Sequence, residues 1–144
     1  IAAFEFITVA HVGDSRCYLM NEDKMEQLTT DHSLVNELIR TGQITEDDAE
    51  EHPRKNVLVR AIGTEPTIDI DIQTLIWEKI FLGSEGLTNK ITNEELEEHL
   101  RADKSLQEKT SELVDLANER GGEDNITLAI LQNTSQDEVG DLPC

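Results

Sequence analysis

The sequence predicts an α+β fold with largely antiparallel sheets. Apolar runs of strand length, such as Phe6-Ile7-Thr8-Val9-Ala10 and Ile80-Phe81-Leu82, recur along the chain. Stretches with helical periodicity are inserted between groups of these runs, a pattern that suits packed layers of mixed type. Ile68-Asp69-Ile70-Asp71-Ile72 alternates strictly, the mark of a strand with one face wet.

Taken in order, residues 4–20 read as strand material, broken or turned at Gly13-Asp14, and a short strand over residues 25–28 follows a turn at Asn21-Glu22-Asp23. Leu34, Val35, Leu38 and Ile39 share one helical face, and Gly42 ends that helix. Thr45 with Asp48 caps a short acidic helix that Pro53 closes. Residues 52–66 read as loop, 68–72 as strand and 77–84 as strand. Thr92 and Glu95 form a capping box for a helix over 93–101. Leu106, Thr110, Leu113, Val114 and Ala117 mark a longer helix stopped by Gly121-Gly122, and residues 125–132 read as the last strand. No internal repeat, low-complexity segment or interdomain linker is visible.

The 144 residues are one domain's worth, and with 3% aromatic residues their core must rest on Leu, Ile, Val and Ala. A net charge of −19 repels nucleic acid phosphates and excludes that class of partner. The acidic runs at residues 46–51 and 94–98 read as solvated helix faces; neither has the spacing of a Ca²⁺ loop. No apolar stretch approaches the ~20 residues of a membrane span, and the start lacks the features of a signal peptide, so the default location is cytoplasmic. The two cysteines, Cys17 and Cys144, have no zinc or redox spacing. The four histidines include no i, i+4 pair, and Asp31-His32-Ser33, being immediate neighbours, cannot align as a hydrolase triad.

Chemistry concentrates in three acidic motifs where strands meet turns. They are Val12-Gly13-Asp14-Ser15-Arg16, Gly83-Ser84-Glu85-Gly86-Leu87-Thr88-Asn89 and Gly121-Gly122-Glu123-Asp124-Asn125-Ile126-Thr127. Carboxylates carried on separate strands to one rim suit a hard divalent cation. With Leu28-Thr29-Thr30-Asp31-His32-Ser33, Gly42-Gln43-Ile44-Thr45, His52-Pro53-Arg54-Lys55-Asn56 and Arg60-Ala61-Ile62-Gly63, these motifs stand in the order and spacing of one family. The chain resembles the metal-dependent serine/threonine protein phosphatases, the type-2C phosphatases, and most closely their bacterial branch.

The resemblance implies two packed sheets flanked by helices, a four-layer α-β-β-α sandwich, of which residues 1–132 would form the C-terminal portion and residues 133–144 a polar acidic tail. It implies Asp14, Glu85 and Asp124 as metal ligands, with Ser84 and Asn125 as hydrogen-bond partners behind them. The ions would be Mn²⁺ or Mg²⁺, two or three in a complete enzyme. Residues 33–67 would contain a flap in which Arg54, Lys55 and Arg60 meet phosphorylated protein substrates. Arg60, between apolar Val59 and Ala61, could equally be a structural ion-pair partner. The enzyme would oppose a serine/threonine kinase.

Two departures qualify this reading. Glu85 stands where the family has Asp, which pushes the carboxylate outward by one methylene. The family's Asp-Gly-x-Gly-Gly-His segment, with its bridging aspartate, acid histidine and phosphate-holding arginine, has no match here. The chain, which does not start with Met, is therefore expected to be a fragment inactive alone, with uncovered sheet edges that invite self-association. The alternative is a pseudophosphatase that binds phosphoproteins without hydrolysing them.

Overall fold

A computed structural model describes residues 5–133. The acidic tail expected after residue 132 lies outside the described residues from position 134, as does Cys144. The chain runs β1 (Phe6–His11), β2 (Arg16–Met20), β3 (Met25–Gln27), α1 (Leu34–Arg40), α2 (Glu46–Glu50), β4 (Asp71–Ile76), β5 (Lys79–Gly83), α3 (Glu85–Thr88), α4 (Asn93–Arg101), α5 (Leu106–Glu119) and β6 (Leu128–Gln132). Strands β3-β2-β5-β6 form one antiparallel sheet and β1-β4 a second, which gives the expected α+β class.

One face of the larger sheet is covered by helices. Tyr18, Met20 and Phe81 pack there with Leu87, Ile91, Leu96, Leu100, Leu113 and Ala117. On the other face Cys17 and Ile80 meet Ile7 of the smaller sheet and Trp77. Cys17 thus serves as a small apolar side chain, its thiol pushed up to about 11 by burial.

Local chemistry sets the helix ends. Both capping boxes legible in the sequence form, Thr45 with Asp48 and Thr92 with Glu95, and Ser105 with Glu108 adds a third for α5. Lys109 of α5 is buried, and its Nζ donates to the Leu100 carbonyl at 2.7 Å. A cation there satisfies an orphan carbonyl at the C-terminal end of α4.

The strand material over residues 4–20 is broken at Gly13-Asp14, and that turn carries the chain from β1 in one sheet to β2 in the other. Two sequence expectations need correction. The alternating segment does not set the strand at 68–72; β4 begins at Asp71 because its pairing partner β1 ends at His11, opposite Asp71. Two isoleucines of that alternation, Ile70 and Ile72, are also exposed, while Leu75 is turned inward. Finally, β6 starts at Leu128 rather than residue 125, because residues 124–127 are engaged with α3 instead of a strand partner.

Candidate metal centre

Sheet register brings the three acidic motifs to one rim. Arg16 at the start of β2 lies opposite Gly83 at the end of β5, and Gly83 lies opposite Leu128 at the start of β6. Asp14 precedes β2, Glu85 follows β5 and Asp124 precedes β6, so antiparallel pairing carries all three to the same end. The Asp14 and Asp124 carboxylates both bear electrostatically on Glu85. Burial pushes the Glu85 carboxyl up, and the negative charges of Asp14 and Asp124 push it further; the Asn89 amide opposes them.

Each carboxylate is placed by its own device. Gly13 adopts φ +111°, a backbone region that L side chains rarely enter, and this lets the chain turn sharply into Asp14. Two residues on in the same motif, Arg16 closes on Asp31 through Nε at 3.1 Å and Nη2 at 2.8 Å. Burial alone would lower the Arg16 pKa, but the Asp31 carboxylate keeps it well above the usual arginine value. Glu85 is the first residue of α3, and one turn later Asn89 Nδ2 donates to its Oε1 at 2.9 Å.

Ser84 and Asn125 tie α3 to the Asp124 loop. Ser84 Oγ donates to the Asn125 carbonyl at 2.9 Å and accepts from the Thr127 amide at 3.0 Å. Asn125 takes part through its backbone, whose amide donates to Asp124 Oδ1 at 2.7 Å. Gly86 sits so close beneath that a Cβ there would lie 2.5 Å from the Asn125 carbonyl oxygen. The glycine of this motif is what lets the second and third carboxylate turns approach.

Oxygen donors on three turns, two of them close enough to raise the proton affinity of Glu85, fit a divalent cation that would neutralise the crowded charge. The flap residues are placed differently. Arg54 and Lys55 stand exposed on a turn, whereas Arg60 Nη1 pairs with Asp71 Oδ1 at 2.9 Å. Asp71 also accepts from His32, whose ring lies tilted by 39° against that of His11, with centroids 4.7 Å apart. Sequence reading assigned no role to Asn89, His32 or Asp71. The i, i+4 spacing of Glu85 and Asn89 was a usable signal, whereas the pairing of His32 with Asp71 spans 39 residues and had none.

A family profile described as "Protein phosphatase 2C" matches residues 3–40. The serine/threonine phosphatase stp of Listeria innocua is 45% identical over 135 residues, covering 92% of this chain and 54% of that protein. Protein phosphatase PhpP of Streptococcus pneumoniae is 44% identical over 131 residues, covering 89% and 53%. The chain belongs to the protein phosphatase 2C family. Its fold matches the S. agalactiae serine/threonine phosphatase with a TM-score of 0.83 and 41% identity, covering 88% of this chain and 53% of that one. It also matches the catalytic domain of the serine/threonine protein phosphatase PstP, solved in complex with two manganese ions, with a TM-score of 0.73 and 27% identity, covering 90% and 54%. The chain spans about half the length of the curated relatives it matches.

Proposed function

We propose that this chain carries part of the metal-binding face of a protein phosphatase acting on phosphoserine and phosphothreonine, with Asp14, Glu85 and Asp124 as ligands to Mn²⁺ or Mg²⁺. The observation that carries this is the convergence of three strand-end carboxylates at one rim, where Asp14 and Asp124 both bear on Glu85. Paired divalent ions supply a reactive water near neutral pH and neutralise the phosphoryl oxygens. The residues in hand would place such ions: the Gly13 turn sets Asp14, Asn89 aims Glu85, and Ser84 fixes the Asp124 loop to α3. Arg54 and Lys55, a local excess of positive charge in an acidic chain, would receive the phosphorylated segment of the substrate. No helix among the described residues is long and apolar enough to cross a membrane, and we place the protein in the cytoplasm, opposing a serine/threonine kinase.

Mn²⁺ titration of the ¹⁵N-labelled chain tests the site directly. Paramagnetic broadening should centre on the amides of residues 13–15, 84–86 and 123–125 and weaken in Asp14→Ala and Asp124→Ala. Broadening spread evenly over the acidic runs at 46–51 and 94–98 would overturn the assignment. Carboxylates from three turns, with the remaining coordination left to water, hold Mn²⁺ only weakly, so the 144-residue chain alone should not turn over a phosphothreonine peptide even in millimolar Mn²⁺. Normal turnover that vanishes in Asp124→Ala would refute that expectation. The pseudophosphatase reading draws on Glu85, and Glu85→Asp bears on it. Tighter Mn²⁺ binding by the shorter side chain favours a ligand role, whereas unchanged binding means that Glu85 is already well placed or is not a ligand.

A further inference from the structure

His32 is buried in the loop between β3 and α1, where it links two regions that the proposed chemistry treats separately. Its Nδ1 accepts from the Gly13 amide at 3.1 Å, immediately before Asp14. An imidazole whose Nδ1 is an acceptor carries its proton on Nε2. That N–H donates to Asp71 Oδ2 at 2.9 Å, and the other oxygen of Asp71 accepts from Arg60 Nη1 at 2.9 Å. Backbone bonds run beside this chain: the His32 amide donates to the Gly13 carbonyl and the Val59 amide to the His32 carbonyl, both at 2.8 Å. Arg60, Asp71, His32 and Gly13 are thus joined in series, with Arg60 Nη1 also donating to the Asp69 carbonyl at 3.4 Å.

His11, His32 and Asp71 place ligand atoms all within 4.8 Å of one another, and neither ring nitrogen of buried His11 has a hydrogen-bond partner. This trio is nevertheless no metal site. A cation on His32 Nε2 would require loss of the ring's last proton, since Nδ1 already takes the Gly13 hydrogen. The Arg60 guanidinium, with Nη1 3.2 Å from His32 Nε2, already supplies the positive charge there. His11 instead packs as a neutral ring against His32, its pKa lowered first by burial and then by His32, against the opposing pull of Asp31 and Asp71.

We propose that His32 is a positioning residue that couples the Arg60–Asp71 pair to the turn bearing Asp14. A phosphorylated peptide that draws Arg60 away leaves the full Asp71 charge on the His32 N–H. That strengthens the Nε2–H bond and makes Nδ1 a better acceptor for Gly13, because serial hydrogen bonds polarise one another. Engagement of substrate at Arg60 therefore firms the Asp14 turn. The linkage stands on hydrogen bonds alone; its trigger rests on the flap reading of Arg60, and its consequence for metal rests on Asp14 being a ligand.

The test is NMR of the 144-residue chain. Long-range ¹H–¹⁵N spectra of wild type should show His32 with an unprotonated Nδ1; a protonated Nδ1 overturns the proposal. Arg60→Ala should move the Gly13 amide proton downfield and Asp71→Asn should move it upfield, opposite signs that a purely structural role does not produce. In His32→Asn, whose Oδ1 can still accept from Gly13 but whose side chain is too short to reach Asp71, neither change should move the Gly13 amide. Shifts of the same sign, or shifts that persist in His32→Asn, overturn the coupling. Mg²⁺ added to wild type tests Asp14 separately: a silent Ser15 amide refutes Asp14 as a ligand, while the shift pattern alone decides the coupling.

Discussion

Gly86 shows how much a single atom decides at this site. A Cβ at that position meets the Asn125 carbonyl oxygen at 2.5 Å and its carbon at 3.1 Å, and both are backbone atoms that cannot rotate aside. Gly86→Ala should therefore displace the Asp124 loop, at a cost of roughly 1–3 kcal/mol typical of overpacking. Urea unfolding would show the loss, and Mn²⁺ affinity should fall with it; an unchanged midpoint would mean the loop yields freely. Asn89→Ala removes the amide that aims Glu85 without touching the fold, and loss of such an outer partner should lower Mn²⁺ affinity about 10-fold. Arg16 and Asp31 are a partly buried pair, 26% and 13% exposed, joined through the guanidinium fork. Arg16→Lys keeps the charge but loses the fork, and should destabilise by roughly 1–3 kcal/mol in the same urea measurement.

At the scale of elements, α4 and α5 are fastened by Arg120, which donates to both Glu95 oxygens and to the Lys90 carbonyl. Arg120, and after it the Thr92 backbone amide, holds the Glu95 carboxyl at about 2 against an ordinary 4.5. A carboxyl depressed on folding adds stability that is complete above its unfolded pKa and is lost as pH falls through the folded one. The stability gap between wild type and Glu95→Gln should thus be constant above about pH 4.5 and close towards about pH 2; circular dichroism at intermediate pH reads it. The elements also show what the sequence could disclose. The Thr45 and Thr92 caps were legible because a capping box is written within four residues. β4 was misplaced because alternation over 68–72 describes side-chain polarity, while the strand's start is set by where β1, some sixty residues earlier, runs out of partners. At the rim the three acids and Ser84 were readable as motifs, but Asp71 and His32 meet only through tertiary contact, with nothing local to announce them.

The whole molecule carries strong negative charge, and among the described residues it exposes an apolar sheet face. In the β1–β4 sheet, Phe6 lies opposite Ile76 and Ala10 opposite Ile72, on the side away from Ile7 and Leu75, which face the core. Phe6, Ile72 and Ile76 are 49%, 66% and 71% exposed among the described residues. Such a face favours self-association, because joining two copies removes apolar surface from water. The charge of −19 on every copy opposes it. Repulsion of this kind is screened over ~10 Å at 0.1 M salt and ~3 Å at 1 M, whereas burial of apolar surface is not weakened by screening. Association should therefore strengthen as NaCl rises, the reverse of a complex held by opposite charges. Sedimentation velocity over a concentration series at low and high salt measures it. Ile72→Lys with Ile76→Lys, both on exposed positions, should hold the chain monomeric at each salt concentration while leaving its melting temperature nearly unchanged. Association that survives the double substitution, or weakens with salt, would place the contact on another surface.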